Sequence, residues 1–379
     1  VPTPEFRLFF DGTPATRAQL DDVGDLTVEQ HADLAWEARA TFPLRVDARG
    51  SWSGGSEPYT APFARFRAEA RTGPDEAWVA LIDGPVVGND SQRSPQPGQS
   101  TVTLLVNDDS ALLNRDQAAA ALEGPVNQVA RTLFDHPAIA RADVESPSAG
   151  AGATGGGGGG GQAPPTVQRG SPMQTLRMLA QQVDMHAYVL PGDQPGRSVG
   201  CLKTFPREVG SLPELVLLGP GRNVEELNVS ANAQSPARVT SSTLNFSDKG
   251  VVTAQQSYRD LELLGEQPPP ADSQGAAVIA PPAWGGVTDP TLRATAVARR
   301  SSRGVEARGA LRTECYGAVM RPYEVVLVKG IDDRSSGRYV ITGVTHKITR
   351  GSWRQEFTLS RDAASAGGGA ATTGVGRVY

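Results

Sequence analysis

"GRYVITGVTHKITRGSWRQEFTLSRDA", Gly337 to Ala363, reads as two strands joined by a short turn. In the second strand Trp353, Gln355, Phe357 and Leu359 alternate with Arg354, Glu356, Thr358 and Ser360. A period of two sends the first set to one face and the second to the other, the pattern of a strand with one buried and one wet side. "YEVVLVKG", just upstream, adds a run of β-formers, so the last folded block of the chain is β-rich.

The other end of the chain reads similarly. In "EFRLFFDGTPA" the Asp11-Gly12 pair tolerates the positive φ that a tight hairpin turn needs. "PFARFRAEARTG", "AWVALIDGPVVGND" and "STVTLLVNDDS" continue residues 1–108 as mostly strand. One stretch is ambiguous. "LTVEQHADLAWEARATF" places Ala32, Ala35 and Trp36 at helical spacing behind Thr27 as a cap, and propensity favours a helix there over a strand entered at Val28.

Between these ends the character changes. Residues 114–135 read as helical, with Val126, Val129, Ala130 and Leu133 on one face and Gly124-Pro125 breaking them from "RDQAAAALE". "SPSAGAGATGGGGGGGQAPPT" follows, too poor in apolar area to offset its backbone entropy, and reads as a flexible linker. "SPMQTLRMLAQQVDMHAYVL" then predicts a helix capped by Ser171, with Pro172 in its first position and Leu176, Leu179, Ala180 and Val183 as its stripe. "HAYVL", Gly200–Phe205 and "ELVLLG" suggest short strands, and "NVEELNVSANAQSPARVTSSTLNFSDKGVVTAQQS" continues as β with a turn at Asp248-Lys249-Gly250. A Pro-rich loop precedes the Ala- and Arg-rich "TLRATAVARRSSRGVEARGAL".

Composition excludes several classes of function. Net charge is −5 and no basic stripe dominates, which argues against a grip on nucleic acid. No apolar run reaches the ~18 residues of a membrane span, and no charged-then-apolar signal segment opens the chain, so the expectation is a soluble chain made in the cytoplasm. Cys201 and Cys315 are too few and too far apart for a disulfide framework or a zinc site, and both are expected reduced and buried. His31, His136, His186 and His346 lie in four separate segments at no metal-ligand spacing. His346 is expected to be a solvated or hydrogen-bonded neighbour. Asp83, Asp90, Asp108 and Asp109 could pair as acid and base, but beside Gly and Asn they read as plain turn residues. There is no nucleophile elbow, no zincin motif and no P-loop, since "GPGRN" lacks the Lys-Ser/Thr. No catalytic, cofactor-binding or metal residue is assigned, and no cofactor is expected.

The order of segments resembles a known family. "LTVEQHADLAW", "VALIDGPVVG", "VNDDSALLNRDQ" and "FDHPAIARADVE" are similar to the first half of the baseplate hub family of contractile tails. That family includes the phage late control protein D group, the T4-type hub and the hub part of type VI secretion spike proteins. "SPMQTLRMLAQQVDMHAYV", "RPYEVVLVKG" and the closing hairpin resemble its second half, so the likeness runs from about Glu5 to Asp362.

The resemblance implies a β-rich α+β chain with two tube-like β-barrels joined by smaller α/β segments, forming a trimeric ring with pseudo-six-fold symmetry. On that reading residues 1–112 are most of the first barrel, 113–147 a helical α+β segment, 148–170 the Gly-rich linker and 171–222 an α/β segment. Residues 223–264 open the second barrel, 265–290 are a Pro/Gly-rich loop, 291–362 complete the barrel and 363–379 are an Ala/Gly-rich tail. "LTVEQHADLAW" becomes a barrel strand rather than a helix. The implied role is a structural hub that adapts a three-fold spike to a six-fold inner tube and nucleates the tube. Its implied partners are two further copies of itself, an inner tube protein and other baseplate components, with no nucleic acid and no membrane span. Relatives often continue into a further barrel and a needle, so the resemblance implies a separate spike protein here. Two alternatives stand beside it: a tail-associated cell-wall hydrolase, and a free-standing β-rich adhesin or carbohydrate-binding protein. The first would need a spare catalytic domain, the second a cluster of exposed aromatics.

Overall fold

The structure, a computed structural model, describes residues 5–365 except 48–49, 56, 97, 148–164, 233–234, 236, 245–248, 266–275 and 282–288. Residues 148–164 of the Gly-rich linker, Asp248 and the tail beyond Ser365 therefore lie outside the described residues, while the last residues assigned to the linker, Thr166–Gly170, form a strand.

Both strands of the closing hairpin form as read, Gly337–Thr349 and Ser352–Arg361, and their alternation sets the plan of the main sheet. Among the described residues thirteen strands belong to that sheet. Its path runs Glu226–Ala231, Val305–Arg312, Ser352–Arg361, Gly337–Thr349, Asp25–His31, Glu37–Pro43, Thr101–Asn107, Val79–Gln92, Arg65–Arg71, Glu5–Phe10 and Thr13–Pro14. Val325–Lys329 branches from the first residues of Gly337–Thr349 and carries the short Leu215–Val216.

Among the described residues no sheet closes into either of the expected tube-like barrels. The sheet is open, ending at Glu226–Ala231 on one side and Thr13–Pro14 on the other. The reason is the seam between the halves. Gly343 to Thr349 pair antiparallel with His31 to Asp25, so each half gives one edge to the other instead of curling back on itself. Residues assigned to the start of the second barrel also go elsewhere. Ala237–Leu244 and Val251–Ser257 form a separate three-stranded sheet with Ala276–Ile279. This small sheet packs on a helix, Pro290–Ser302, that the Ala- and Arg-rich stretch did not announce.

Two helical readings are also corrected. "LTVEQHADLAWEARATF" is the strand pair Asp25–His31 and Glu37–Pro43, as the resemblance implied and propensity did not. Ala118–Leu122, in the run read as helix, is a strand paired with Thr166–Gly170. Long-range pairing overrides alanine's helix preference there. The helices Val126–Leu133 and Pro172–Gln182 form as expected, the second with a full capping box between Ser171 and Gln174. Both pack against the small sheet Ile139–Val144, Ser198–Lys203 and His186–Leu190.

The core follows the sheet across the seam. Leu26, Val28, Trp36, Phe42, Phe66, Leu81 and Leu104 pack in one cluster with Ile348 and Trp353 from the closing hairpin. At roughly 1.5–3 kcal/mol for each large apolar side chain buried, that shared cluster ties the two halves together.

Candidate functional site

Four features could carry function: a wet sheet face, a buried charge network, an aromatic junction and an open cleft.

The wet face comes from strict alternation. In Asp25–His31 and Glu37–Pro43, Leu26, Val28, Ala38, Ala40 and Phe42 are buried while the residues between them face out. Registers across the sheet line those outward residues into rows running across the strands. One row holds Glu226, Glu356, Thr345, Glu29 and Glu37, with the buried Ala310 between the first two. The next holds Arg312, Arg354, Lys347, Thr27 and Arg39. An acidic row therefore lies beside a cationic one, and they bond to each other: Lys347 to Glu356 at 2.7 Å, Arg354 to Glu226 at 2.8 Å and Arg39 to Glu37 at 2.8 Å. Each such exposed pair contributes little on its own, up to about 1 kcal/mol. Together they leave a broad face polar and self-satisfied.

The network is the opposite case. Arg65 bonds Asp109 through both terminal nitrogens at 2.8 and 2.7 Å and Asp83 at 2.7 Å. Arg67 bonds Glu69 at 2.6 Å and Asp83 at 3.0 Å. Asp83 and Asp109 have no exposed side-chain surface. Burial works against the Arg65 charge, yet the hydrogen bonds and proximity of Asp109, with Asp83 beside it, raise its pKa above the ordinary value. Loop 191–198 docks on this cluster through polar atoms. Arg67 donates to the Gly192 carbonyl at 2.7 Å, the Gly196 N–H donates to Asp83 at 2.9 Å, and the Ser198 hydroxyl donates to Asp109 at 2.6 Å.

Asp109 stands in the turn that opens the short helix Ser110–Leu113, as read, whereas Asp83 lies in a strand; rather than an acid–base pair, the two are the buried anions of a structural lock. Asp108, also fully buried, accepts the Trp36 and Ser110 N–H groups at 2.7 and 2.9 Å, while burial pushes its carboxyl up to about 6. Asp90 is exposed on a strand. The lock had a signal in "RFRAEAR", where charged residues at every second position mark one face of a strand.

The histidines stay apart. His31 ends a strand beside Gly343, and His136 Nδ1 accepts the Ala138 N–H at 3.2 Å. His346, expected to be a solvated or hydrogen-bonded neighbour, is fully buried with neither ring nitrogen hydrogen-bonded, and burial depresses its pKa to about 3. His186 is buried at the aromatic junction with Phe205 and Tyr323. Its Nδ1 donates to Asp33 at 2.9 Å, and Asp33 donates its N–H to the Tyr323 hydroxyl at 2.8 Å. Burial lowers the His186 pKa against the pull of Asp33, so the imidazole is neutral. Asp33 and Tyr323 both sit at positive φ, 64° and 66°, which marks a tightly determined corner. Cys201 is buried as expected, but Cys315 is exposed. Among the described residues no group of three His, Cys, Asp or Glu could hold a metal, and no helix is long and apolar enough to cross a membrane.

The cleft lies between loop 191–197 and the outer face of the small sheet, with a volume of about 440 Å³. Tyr188, Val199 and Cys201 form its floor, and Arg141, Arg197 and Lys203 stand on its rim.

No protein-family model matches the chain, and no curated protein does either. Solved structures do. A 43 kDa tail protein of prophage MuSo2 from Shewanella oneidensis is 14% identical with a TM-score of 0.63, over 96% of this chain and 100% of that one. A tail protein from Neisseria meningitidis is 12% identical with a TM-score of 0.59, over 95% and 97%. An E. coli protein described as a component of the type VI secretion system, similar to the T4 tail proteins gp27 and gp5, is 13% identical with a TM-score of 0.53, over 93% and 76%. At these identities the likeness establishes a shared fold.

Proposed function

We propose that this chain is a structural baseplate hub of a contractile injection particle, in a phage tail or a phage-tail-like system, and acts mechanically rather than as an enzyme. The observation that carries this reading is the near-complete mutual coverage with the Shewanella prophage and Neisseria tail proteins, at TM-scores of 0.63 and 0.59. In this role three copies adapt a three-fold spike, supplied by a separate polypeptide, to a six-fold inner tube and nucleate that tube. The chain is made in the cytoplasm and carried into the baseplate with its other components. The wet face suits a surface past which cargo moves. Its charges are committed to one another in adjacent rows, which leaves few free groups to hold a passing polymer.

The test is affinity isolation of the tagged chain from its native cells, with co-purifying proteins identified by mass spectrometry. Tube, sheath and a separate spike chain are the expected companions. Recovery of the chain alone at every stage of growth would sink the hub reading and leave only a shared fold.

A further inference from the structure

Burying four charged side chains, with a fifth, Arg65, half-buried beside them, is the most demanding feature of this molecule, and its effect is local: it holds loop 191–198 in place. That loop does not cover the small sheet. It stands beside it as the wall of the cleft, so the lock fixes the shape of a concave surface. The other sides are equally set. The floor residue Tyr188 stacks flat on Tyr323 with ring centroids 3.6 Å apart, and Val199 is nine-tenths buried beside it. A volume of about 440 Å³ falls in the range of ordinary ligand and side-chain pockets.

The rim carries three cations, of which one is committed. Lys203 is paired with Asp143 at 2.7 Å. Arg141 and Arg197 are exposed, and neither guanidinium has a hydrogen bond or ion pair among the described residues. One free carboxylate, Asp193, shares the rim with them. Two free guanidinium groups above an apolar, aromatic floor ask for a carboxylate adjoining an apolar side chain. Guanidinium groups bind carboxylates as paired, charge-assisted donors, and a rigid wall lowers the ordering cost of binding.

We propose that this cleft is a docking site for an acidic peptide segment of another protein, whose aromatic or aliphatic side chain enters between loop 191–197 and the small sheet while its carboxylate meets Arg141 and Arg197. The site is independent of the hub reading, since it needs only a partner with that chemistry.

A displayed library of random twelve-residue peptides, selected against the intact chain, tests it. The counter-target is the double variant Arg141→Glu/Arg197→Glu, with Arg141→Gln/Arg197→Gln as a charge-neutral control. Arg141 and Arg197 are both exposed, so unchanged thermal unfolding will certify the variants as folded. The expected result is enrichment of peptides with Asp or Glu beside an aromatic or aliphatic residue. A synthetic consensus peptide should bind the native chain about tenfold or more tightly than the Glu variant, with the Gln variant between, and weaken as salt rises. No enrichment, enrichment of peptides without acidic residues, or equal affinity for the native chain and the Glu variant would each overturn the proposal.

Discussion

At the scale of single residues, the buried polar groups make the sharpest statements about stability. His346 is fully buried without a hydrogen bond, beside Trp353 and near Arg321, and its pKa is depressed to about 3. The unfolded chain binds a proton at this histidine near pH 6.5, whereas the folded chain does so only near the depressed value. The stability that depends on its neutrality is therefore present above about pH 6.5 and lost as pH falls, at about 1.4 kcal/mol per pH unit until the folded pKa is reached. Replacing it by leucine should flatten the fall between pH 6.5 and 4 relative to the native chain, in urea unfolding followed at each pH. An unchanged pH profile would show that His346 is not buried neutral. Asp83 predicts a different failure. Asp83→Ala leaves Arg65 and Arg67 short of an anion in a closed space, and should cost about 3–5 kcal/mol. A loss under about 1 kcal/mol in the same unfolding assay would mean that water enters the network.

At the scale of elements, what was legible in the sequence is what local chemistry decides. The helix Pro172–Gln182 carries its own start signals, with the Ser171 hydroxyl accepting from the Gln174 N–H at 3.1 Å. Ser171→Ala should cost about 1–2 kcal/mol, read as a drop in melting temperature, since it removes both the cap and the hydroxyl's bond to Asn114 Oδ1 at 2.5 Å. The strands that resisted reading are those decided at long range. Asp25–His31 hides its alternation because the buried Gln30 breaks the apolar pattern; its amide N–H donates to the Leu81 carbonyl at 2.6 Å, while its Oε1 has no hydrogen-bond partner among the described residues. Ala118–Leu122 has only its pairing partner to make it a strand. Glycine shows how tightly the long strand Val79–Gln92 is constrained as it leaves Arg65–Arg71 for Thr101–Asn107. A Cβ on Gly84 would lie 1.8 Å from the Asn107 carbonyl oxygen, whereas one on Gly88 would meet nothing nearer than 3.7 Å. Gly84→Ala should abolish soluble folded protein and Gly88→Ala should leave its yield and melting temperature nearly unchanged. Similar behaviour of the two variants would contradict the crossing.

At the scale of the whole molecule, the alternating residues of the closing hairpin announced a strand with one wet face, but they could not announce which strand lies beside it. The sheet continues from Gly343–Thr349 into Asp25–His31, about three hundred residues away in sequence, and no local pattern encodes that choice. The candidate cleft was hidden for the same reason, because Arg141, Tyr188 and Arg197 meet only after three segments assemble. The seam has a thermodynamic consequence. Trp36 belongs to the first half and Trp353 to the last, yet both lie in one apolar cluster and both are buried. Neither half can lose its packing without exposing the other's core face, so the halves should unfold together. With 5-fluorotryptophan incorporated and the two resonances assigned by Trp36→Phe and Trp353→Phe, both signals should report the same urea midpoint and the same slope. If the Trp353 signal were lost at clearly lower urea than that of Trp36, the hairpin would be an independently folding unit resting on the first half. The continuous sheet would then describe contact between two bodies, and the paired charge rows crossing it would be an interface rather than one surface.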